Sequence, residues 1–496
     1  MSFLSDFFRF SPQKGFLFTS VEFWIFFCLV LGGLSLCYKN RQARNTFLFA
    51  ASLFFYYKVA GFFVLILLLS VLLNHVIGKR IERNAPGKHA FMFLVGILAN
   101  IFVLCVFRYN VFFTQVWNAL LGTDLTAIDY FSEGFSLAGN TSGSLLPAAI
   151  ERLMPPVGLS FVTLQAVGYL ADLKRGRIRS FASPGDLGFY LIFFPKAVAG
   201  PVVRAQEFMP QMQSHYMLTR QEFSAALALI LTGLIKKAVV ADFLDAYIVS
   251  PVFDNPDLFS GLEKWMALYG FSVWIYFAFS GYTDMATGVS SLLGFSLPAN
   301  FHSPYKASSL TDFWRRWHIS LHTWFRDYVY VPLGGNRHGN FRMTLALVLT
   351  MLAAGLWYGA GMGFLIWAAL HAAVLCVEKA SRWNAKVERS RALHLAGWLV
   401  TFNMISFSWI FFRSGTLQSA ADLFFGLFDL SGFDPVSNLD ATYGIAFLLM
   451  VLAFVLMVAV RERRKKAWLR AFERWPLVLK FLLTASIATL MVIFRA

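Results

Sequence analysis

AFMFLVGILANIFVLCVF, residues Ala90–Phe107, holds no charged residue. A bilayer core of about 30 Å is crossed by roughly 20 apolar residues in helical form, and this run is about that long. TYGIAFLLMVLAFVLMVAV, residues Thr442–Val460, repeats the pattern, as do Phe16–Cys37, Ala392–Phe412 and Leu477–Phe494. Glu22 and Lys480 stand near the ends of two of these runs, where a charged head reaches water. None of the runs alternates as β-barrel strands do. The helix is the other structure that satisfies its own backbone in lipid. The runs therefore predict an all-α, polytopic integral membrane protein.

Composition agrees. Of 496 residues, 58% are hydrophobic and 14% charged, against about 25% charged in soluble domains. No long polar segment separates soluble modules, so residues 1–496 read as a single membrane-embedded domain. The net charge is +16, but the basic residues sit in short clusters beside apolar runs. That is how cytoplasmic loops look, and it sets nucleic-acid binding aside. Cys28, Cys37, Cys105 and Cys376 lie in or beside apolar runs without CxxC spacing. They read as small core residues and not as a metal site or disulfide framework.

The clusters mark topology. Lys39, Arg41 and Arg44 form one, and Lys79, Arg80, Arg83 and Lys88 another. Further clusters lie at Lys174–Arg179, Arg382–Arg391 and Arg461–Lys466. With all of them cytoplasmic, an even number of crossings lies between neighbours. The short interval from Arg44 to Lys79 then takes two short crossings, broken near Lys58 to Gly61. Residues 109–150, with Asp124, Asp129 and Glu133 and no Lys or Arg, fall outside, as does the loop around Asp422, Asp429, Asp434 and Asp440. These assignments put the N-terminus outside, and because Met1–Arg9 lacks the basic start of a signal peptide, the first apolar run is retained. About eleven transmembrane helices result, with several broken or re-entrant segments.

Three apolar stretches are not clean spans. Leu187–Val203 holds Lys196, two prolines and Gly200; Phe223–Phe243 holds Lys236, Lys237 and Asp242; Val273–Phe295 holds Asp284. A central charge costs about 2.5–3.5 kcal/mol on insertion scales. Such segments must be buried in protein or line a cavity. Residues 151–380 thus read as a cavity-lining core, 1–150 as peripheral helices and 381–496 as C-terminal helices.

Five histidines bear on chemistry. Thr311–Tyr328, TDFWRRWHISLHTWFRDY, reads as an amphipathic helix capped by Thr311 with Asp312 in its first turn. Phe313, Trp317, Leu321, Trp324 and Tyr328 share one face, while Arg315, Arg316 and His322 fall elsewhere. Such a helix suits a membrane surface or a tunnel mouth. His318 and His322 are four apart, but the glutamate of a zinc-protease motif is missing, and no metal is expected. His302 and His338 look like loop residues. His371 lies in GFLIWAALHAAVLCV, uncharged until Glu378. It is either a hydrogen-bonded core residue or a polar group facing a cavity. A neutral imidazole is available as a base near pH 6.5. Asp284, in FSGYTDMATG, is either a proton relay or the partner of Lys196, Lys236 or an arginine. No GxSxG elbow or GxxxxGK[ST] loop is present.

Four blocks resemble the membrane-bound O-acyltransferases, and within them the bacterial alginate O-acetyltransferase type. They are FFPKAVAGPVVR (Phe193–Arg204), FSGYTDMATGVSSLLGF (Phe279–Phe295), NFHSPYKASSLTDFWRRWHISLHTWFRDYVYVPLGGNR (Asn300–Arg337) and GLWYGAGMGFLIWAALHAAVL (Gly355–Leu375). The resemblance implies tilted helices around a thin core with a tunnel, in a bacterial inner membrane. An acyl thioester such as acetyl-CoA would be loaded from the cytoplasm as substrate, with no bound cofactor. The acceptor, a polysaccharide hydroxyl, would approach from outside. The implied partners are membrane lipid and an extracytoplasmic SGNH-type acetyltransferase. The family's RWH histidine falls on His318, and a second histidine common in relatives falls on His371. Asp312, Arg315, Arg316 and Trp317 carry over as tunnel or scaffold residues.

This chain departs from the family at one position above all. Relatives read LWHGA where this chain reads LWYGA, with Tyr358. A tyrosine near pKa 10 is a poor base at neutral pH. Lys196 stands where glutamine is usual and His322 where serine is. Acyl transfer needs the hydroxyl deprotonated and the oxyanion stabilised. The expectation is His371 as substitute base, His318 positioning carbonyl or hydroxyl, and Tyr358 donating to the oxyanion. The alternatives are D-alanyl transfer to another envelope acceptor, a silent homologue, and a transporter or flippase relaying through Asp284 and the lysines.

Overall fold

The computed structural model describes residues 16–83, 88–125, 158–197, 200–337, 339–429, 441–460, 462–476 and 478–487 apart from 481 and 485. Met1–Arg9, Asp129, Glu133, His338, Asp434, Asp440 and the end of the run Leu477–Phe494 lie outside the described residues. Among the described residues the regular structure is helical throughout. Six helices among the described residues are long and apolar enough to cross a membrane, and the shorter Val21–Cys37 and Tyr443–Ala459 are also apolar. The chain divides into two compact units. One is Met1–Thr219 with Val289–Leu297, the other Arg220–Gly288 with Pro298–Ala496.

The first unit holds α1 (Val21–Cys37), α2 (Arg41–Ala60), α3 (Val64–Arg83), α4 (Lys88–Leu104), α5 (Leu159–Lys174) and α6 (Pro184–Ile192). Ser20 and Asn40 cap α1 and α2 with their side-chain oxygens. The chain breaks at Gly61, where φ is 57° and the next residues form one tight turn. A left-handed φ favours glycine, so the break falls where the basic clusters place it. The uncharged run of α4 is not wholly apolar inside. Asn100 Nδ2 donates to Asn74 Oδ1 at 2.9 Å, and Asn74 Nδ2 donates back at 3.2 Å. This reciprocal amide pair ties α4 to α3 while leaving little polar surface for lipid. Lys196 is fully buried. Its ammonium donates to Gln165 Oε1 and lies 4.5 Å from the Tyr190 ring centre and 5.3 Å from that of Phe208. The charge in this broken segment is thus buried in protein, as lipid demands.

The second unit begins with α7 (Arg220–Leu234), continued by a wide π turn over Ile235–Ala241, and α8 (Gly261–Leu292), most of which lies in it. A Cβ on Gly233 would come within 2.5 Å of the Gly281 carbonyl oxygen, and one on Gly281 within 2.8 Å of the Gly233 oxygen. Only glycine allows that backbone approach. Gly233→Ala is therefore expected to destabilise the chain by about 2 kcal/mol through overpacking, read as a lowered thermal midpoint of the purified full chain. One turn beyond, Lys236 Nζ meets Asp284 Oδ2 at 2.5 Å. The lysine of α7's continuation is thus the partner Asp284 has.

Next come α9 (Leu310–Arg316), α10 (Ile319–Phe325), α11 (Gly339–Tyr358), α12 (Met362–Ala380), α13 (Arg391–Arg413) and α14 (Ala441–Ala459). α11 packs on α12, α12 on α13, and α9 on α12. Their shared core is aromatic: Phe313, Trp317, Trp367 and Trp409 are all buried. Ring pairs such as Phe313–Trp317 at 5.4 Å and Trp367–Trp409 at 6.0 Å each add about 0.5–1.5 kcal/mol beyond burial. They fix the stretch on which the site is built.

Candidate active site

The segment expected as one helix from Thr311 to Tyr328 is two helices. Trp317 is extended and His318 left-handed, at φ 42° and ψ 54°. The break is held by the preceding strand of chain. His302 N–H donates to Arg316 O at 2.9 Å, and Ile319 N–H to Asn300 O at 2.9 Å. Asn300 Oδ1 accepts from Ser320 Oγ at 2.8 Å and from Ser320 N–H at 3.3 Å. Backbone groups that a continuous helix would pair internally are taken instead by residues 300–302. A non-glycine residue in this conformation costs about 1–3 kcal/mol and persists only where its surroundings impose it.

The N-terminus also differs from expectation. Ser309, not Thr311, caps α9, its Oγ accepting from Asp312 N–H at 3.1 Å. Thr311 serves another partner. Glu378, 7% exposed on α12, accepts from Leu310 N–H at 2.5 Å, Thr311 N–H at 2.9 Å and Thr311 Oγ1 at 2.7 Å. The carboxylate thus satisfies free amides at the positive end of α9.

His371 lies two turns before Glu378 on α12 and also grips α9. Trp314 Nε1–H donates to His371 Nδ1 at 3.2 Å. An indole N–H can only donate, so Nδ1 carries the lone pair. In the neutral ring the proton is then on Nε2, which faces Ser408 Oγ at 2.9 Å. Ser408 Oγ passes its own hydrogen to Ile405 O at 2.7 Å. Both ring nitrogens are committed, and the residue is fully buried.

His318 is placed differently. Its Nδ1 lies 3.4 Å from the Tyr358 hydroxyl. Its Nε2 is buried with no hydrogen-bond partner among the described residues. The ring stands edge-on to Phe279, 4.6 Å between centres. Tyr358 ends α11, and its ring packs on Trp367 at 5.3 Å and Phe412 at 5.4 Å. Trp317 also hydrogen-bonds it. His371 reaches the same cluster through Trp367, 4.6 Å away.

So His318 and Tyr358 are brought into contact, and His371 stands behind one indole. Trp317 is buried beside His318. Asp312 and Arg316 pair with each other at 2.9 Å on the α9 surface, and Arg315 is exposed. Asp284 faces Lys236. Trp314, Ser408, Asn300 and Glu378 join the site through the fold, not through a sequence motif. Of these, only Glu378 left a trace, as the first charge after the apolar run.

A model of the membrane-bound O-acyltransferase family matches residues 183–416. The chain is 32% identical to the peptidoglycan O-acetyltransferase of Helicobacter pylori, over 79% of this chain and 75% of that one. It is also 32% identical to the probable alginate O-acetylase of Pseudomonas aeruginosa, over 88% and 81%. The chain belongs to the membrane-bound O-acyltransferase family. It is a multi-pass membrane protein and an enzyme of the O-acyl transfer class. A more distant relative is the teichoic acid D-alanyltransferase of Bacillus subtilis, 26% identical over 71% of this chain and 96% of that one. In this acyltransferase the blocks around His318, Tyr358 and His371 all fall inside the matched region.

Proposed function

We propose that this acyltransferase moves an acyl group, acetyl first among the candidates, from a cytoplasmic thioester such as acetyl-CoA to hydroxyls of an exported polysaccharide. Transfer runs either to the polymer itself or through an extracytoplasmic SGNH-type acetyltransferase. The setting is a bacterial inner membrane, crossed about eleven times, with residues 151–380 around a tunnel where donor and acceptor meet. The relatives of Pseudomonas aeruginosa and Helicobacter pylori, named for O-acetylation of alginate and peptidoglycan, support the acceptor class. The Bacillus subtilis relative keeps D-alanine as the alternative acyl group.

His318 is the base in this proposal, and His371 is a positioning residue. The observation that carries it is the unpartnered, buried Nε2 of His318 beside Tyr358, against the two committed nitrogens of His371. With its proton on Nδ1 and directed at the Tyr358 oxygen, His318 presents the Nε2 lone pair. That lone pair takes the acceptor's proton as the hydroxyl oxygen attacks the thioester carbon. The C–O bond forms, the C–S bond breaks, and the proton passes from Nε2 to the departing thiolate. Trp317 is scaffold, Asp312, Arg315 and Arg316 line the approach, and Asp284 with Lys236 holds α8 to α7's continuation.

Tyr358 favours a second reading, a silent homologue, because the imidazole of relatives is missing there. A strain lacking this chain, complemented with it, tests the function. Ester-linked acetate or D-alanine on the extracellular polymer is expected to return with the chain. Unchanged esters together with altered solute uptake would place the chain among transporters instead.

A further inference from the structure

Four buried side-chain atoms, two on α8 and two in the 300–318 stretch that packs on it, lack hydrogen-bond partners among the described residues: Ser280 Oγ, Thr283 Oγ1, Asn300 Nδ2 and His318 Nε2. Buried polar groups are nearly always paired, and each exception has a reason. The exposures are 0% for His318, 1% for Asn300, 2% for Ser280 and 5% for Thr283. Helical spacing brings the hydroxyls to the same face. Tyr276 lies 5.8 Å from Phe301 and 6.4 Å from Trp317 between ring centres. Phe279 lies 5.0 Å from Phe301 and 4.6 Å from His318. Ser280 and Thr283 follow these two residues by four positions, one turn on along the same stripe of α8. Gly281 and Asp284 occupy the neighbouring face and contact Gly233 and Lys236. Asn300 precedes Phe301, and its oxygen is spent on Ser320, leaving its amide hydrogens.

From this convergence we infer that Ser280, Thr283 and Asn300 form a donor-lined subsite for the carbonyl oxygen of the acyl thioester, next to His318. The inference rests on the acyl transfer proposed above. As the acceptor oxygen adds to the thioester carbon, the carbonyl electrons move onto its oxygen. Two hydroxyl hydrogens and an amide hydrogen then meet that oxyanion. When the C–S bond breaks, the electrons return to the carbonyl and the thiolate leaves. Donors held ready at the developing charge are worth more in a water-poor site than in solvent. Three groups with hydrogens to give and no acceptor among the described residues match an acceptor-only oxygen.

The test uses the full chain in lipid nanodiscs with acetyl-CoA and a soluble oligosaccharide of the host's extracellular polymer, following thiol release. The double variant S280A/T283V is expected to lower kcat by about 100-fold, the scale of a lost oxyanion donor. KM for acetyl-CoA should stay within about twofold, since the interaction belongs to the transition state. Thr283→Ser alone keeps the hydroxyl and should hold kcat within about threefold of native. Removing unpartnered buried hydroxyls should leave the thermal midpoint at or above the native value. Native kcat in the double variant, with His318→Gln inactive, overturns the subsite and leaves the acyl transfer standing. A double variant that fails to fold also overturns it, because the hydroxyls would then have structural partners. No thiol release by the native chain overturns both the subsite and the proposed transfer.

Discussion

Glutamine at position 318 is expected to cut ester-linked acetate on the extracellular polymer by about 1,000-fold, within the range that a general base supplies. Glutamine matches histidine in size and can still bond Tyr358, so the turn should survive. What it lacks is a lone pair on nitrogen that can hold a proton. His371→Gln should behave differently. Its side-chain oxygen can accept from Trp314 and its amide can donate to Ser408, reproducing both bonds of the imidazole. Acetate should then fall less than about tenfold, the effect of one weakened hydrogen bond. Acetate is measured by mild-base release and normalised to the amount of chain in the membrane. Equal collapse in both variants would overturn the division into His318 as base and His371 as positioning residue.

Glu378→Ala carries the second large expectation. Three hydrogen bonds end on this carboxylate, two from backbone amides at the start of α9. Bonds to a charged group contribute about 1.5–3 kcal/mol each, and removing the acceptor leaves buried donors unsatisfied. Their sum is less than additive, so a loss of about 4 kcal/mol is expected. α9 carries Trp314 toward His371 and leads directly into the left-handed His318. Losing its anchor should therefore lower transfer as well as the thermal midpoint. Glu378→Gln retains one acceptor oxygen and should recover about half of the stability. An alanine variant with native melting and native transfer would remove Glu378 from this role.

The membrane nature of the chain and several helix positions were legible in the runs of apolar residues, because a bilayer imposes length and apolarity directly. The break at Gly61 was legible for the same reason, with glycine marking the place. The broken Thr311–Tyr328 segment was not. Its aromatic spacing is helical on both sides of His318, and the break comes from residues 300–302 pairing with it. Nothing local in RRWHIS announces a left-handed residue. His371 stood out as a polar residue in an apolar run, but its partners come from α9 and α13, and only the fold brings them together. Asp284 admitted several partners in sequence, and the approach of Gly233 to Gly281 selects Lys236. Ser280 and Thr283 carry no signal in the sequence, and their lack of partners among the described residues is visible only in three dimensions.

The proposed chemistry requires that acyl transfer proceed with Tyr358 where relatives have histidine. The direct measurement is ester-linked acetate from cells whose only source is the native chain or its Tyr358→His variant, at matched membrane levels. With His318 as base and Tyr358 as its partner, the native chain already acetylates, and the variant does no better than about twofold, since a base is in place. A native chain that yields no ester, restored to activity by Tyr358→His, would contradict the account and mark the chain as a silent member of its family.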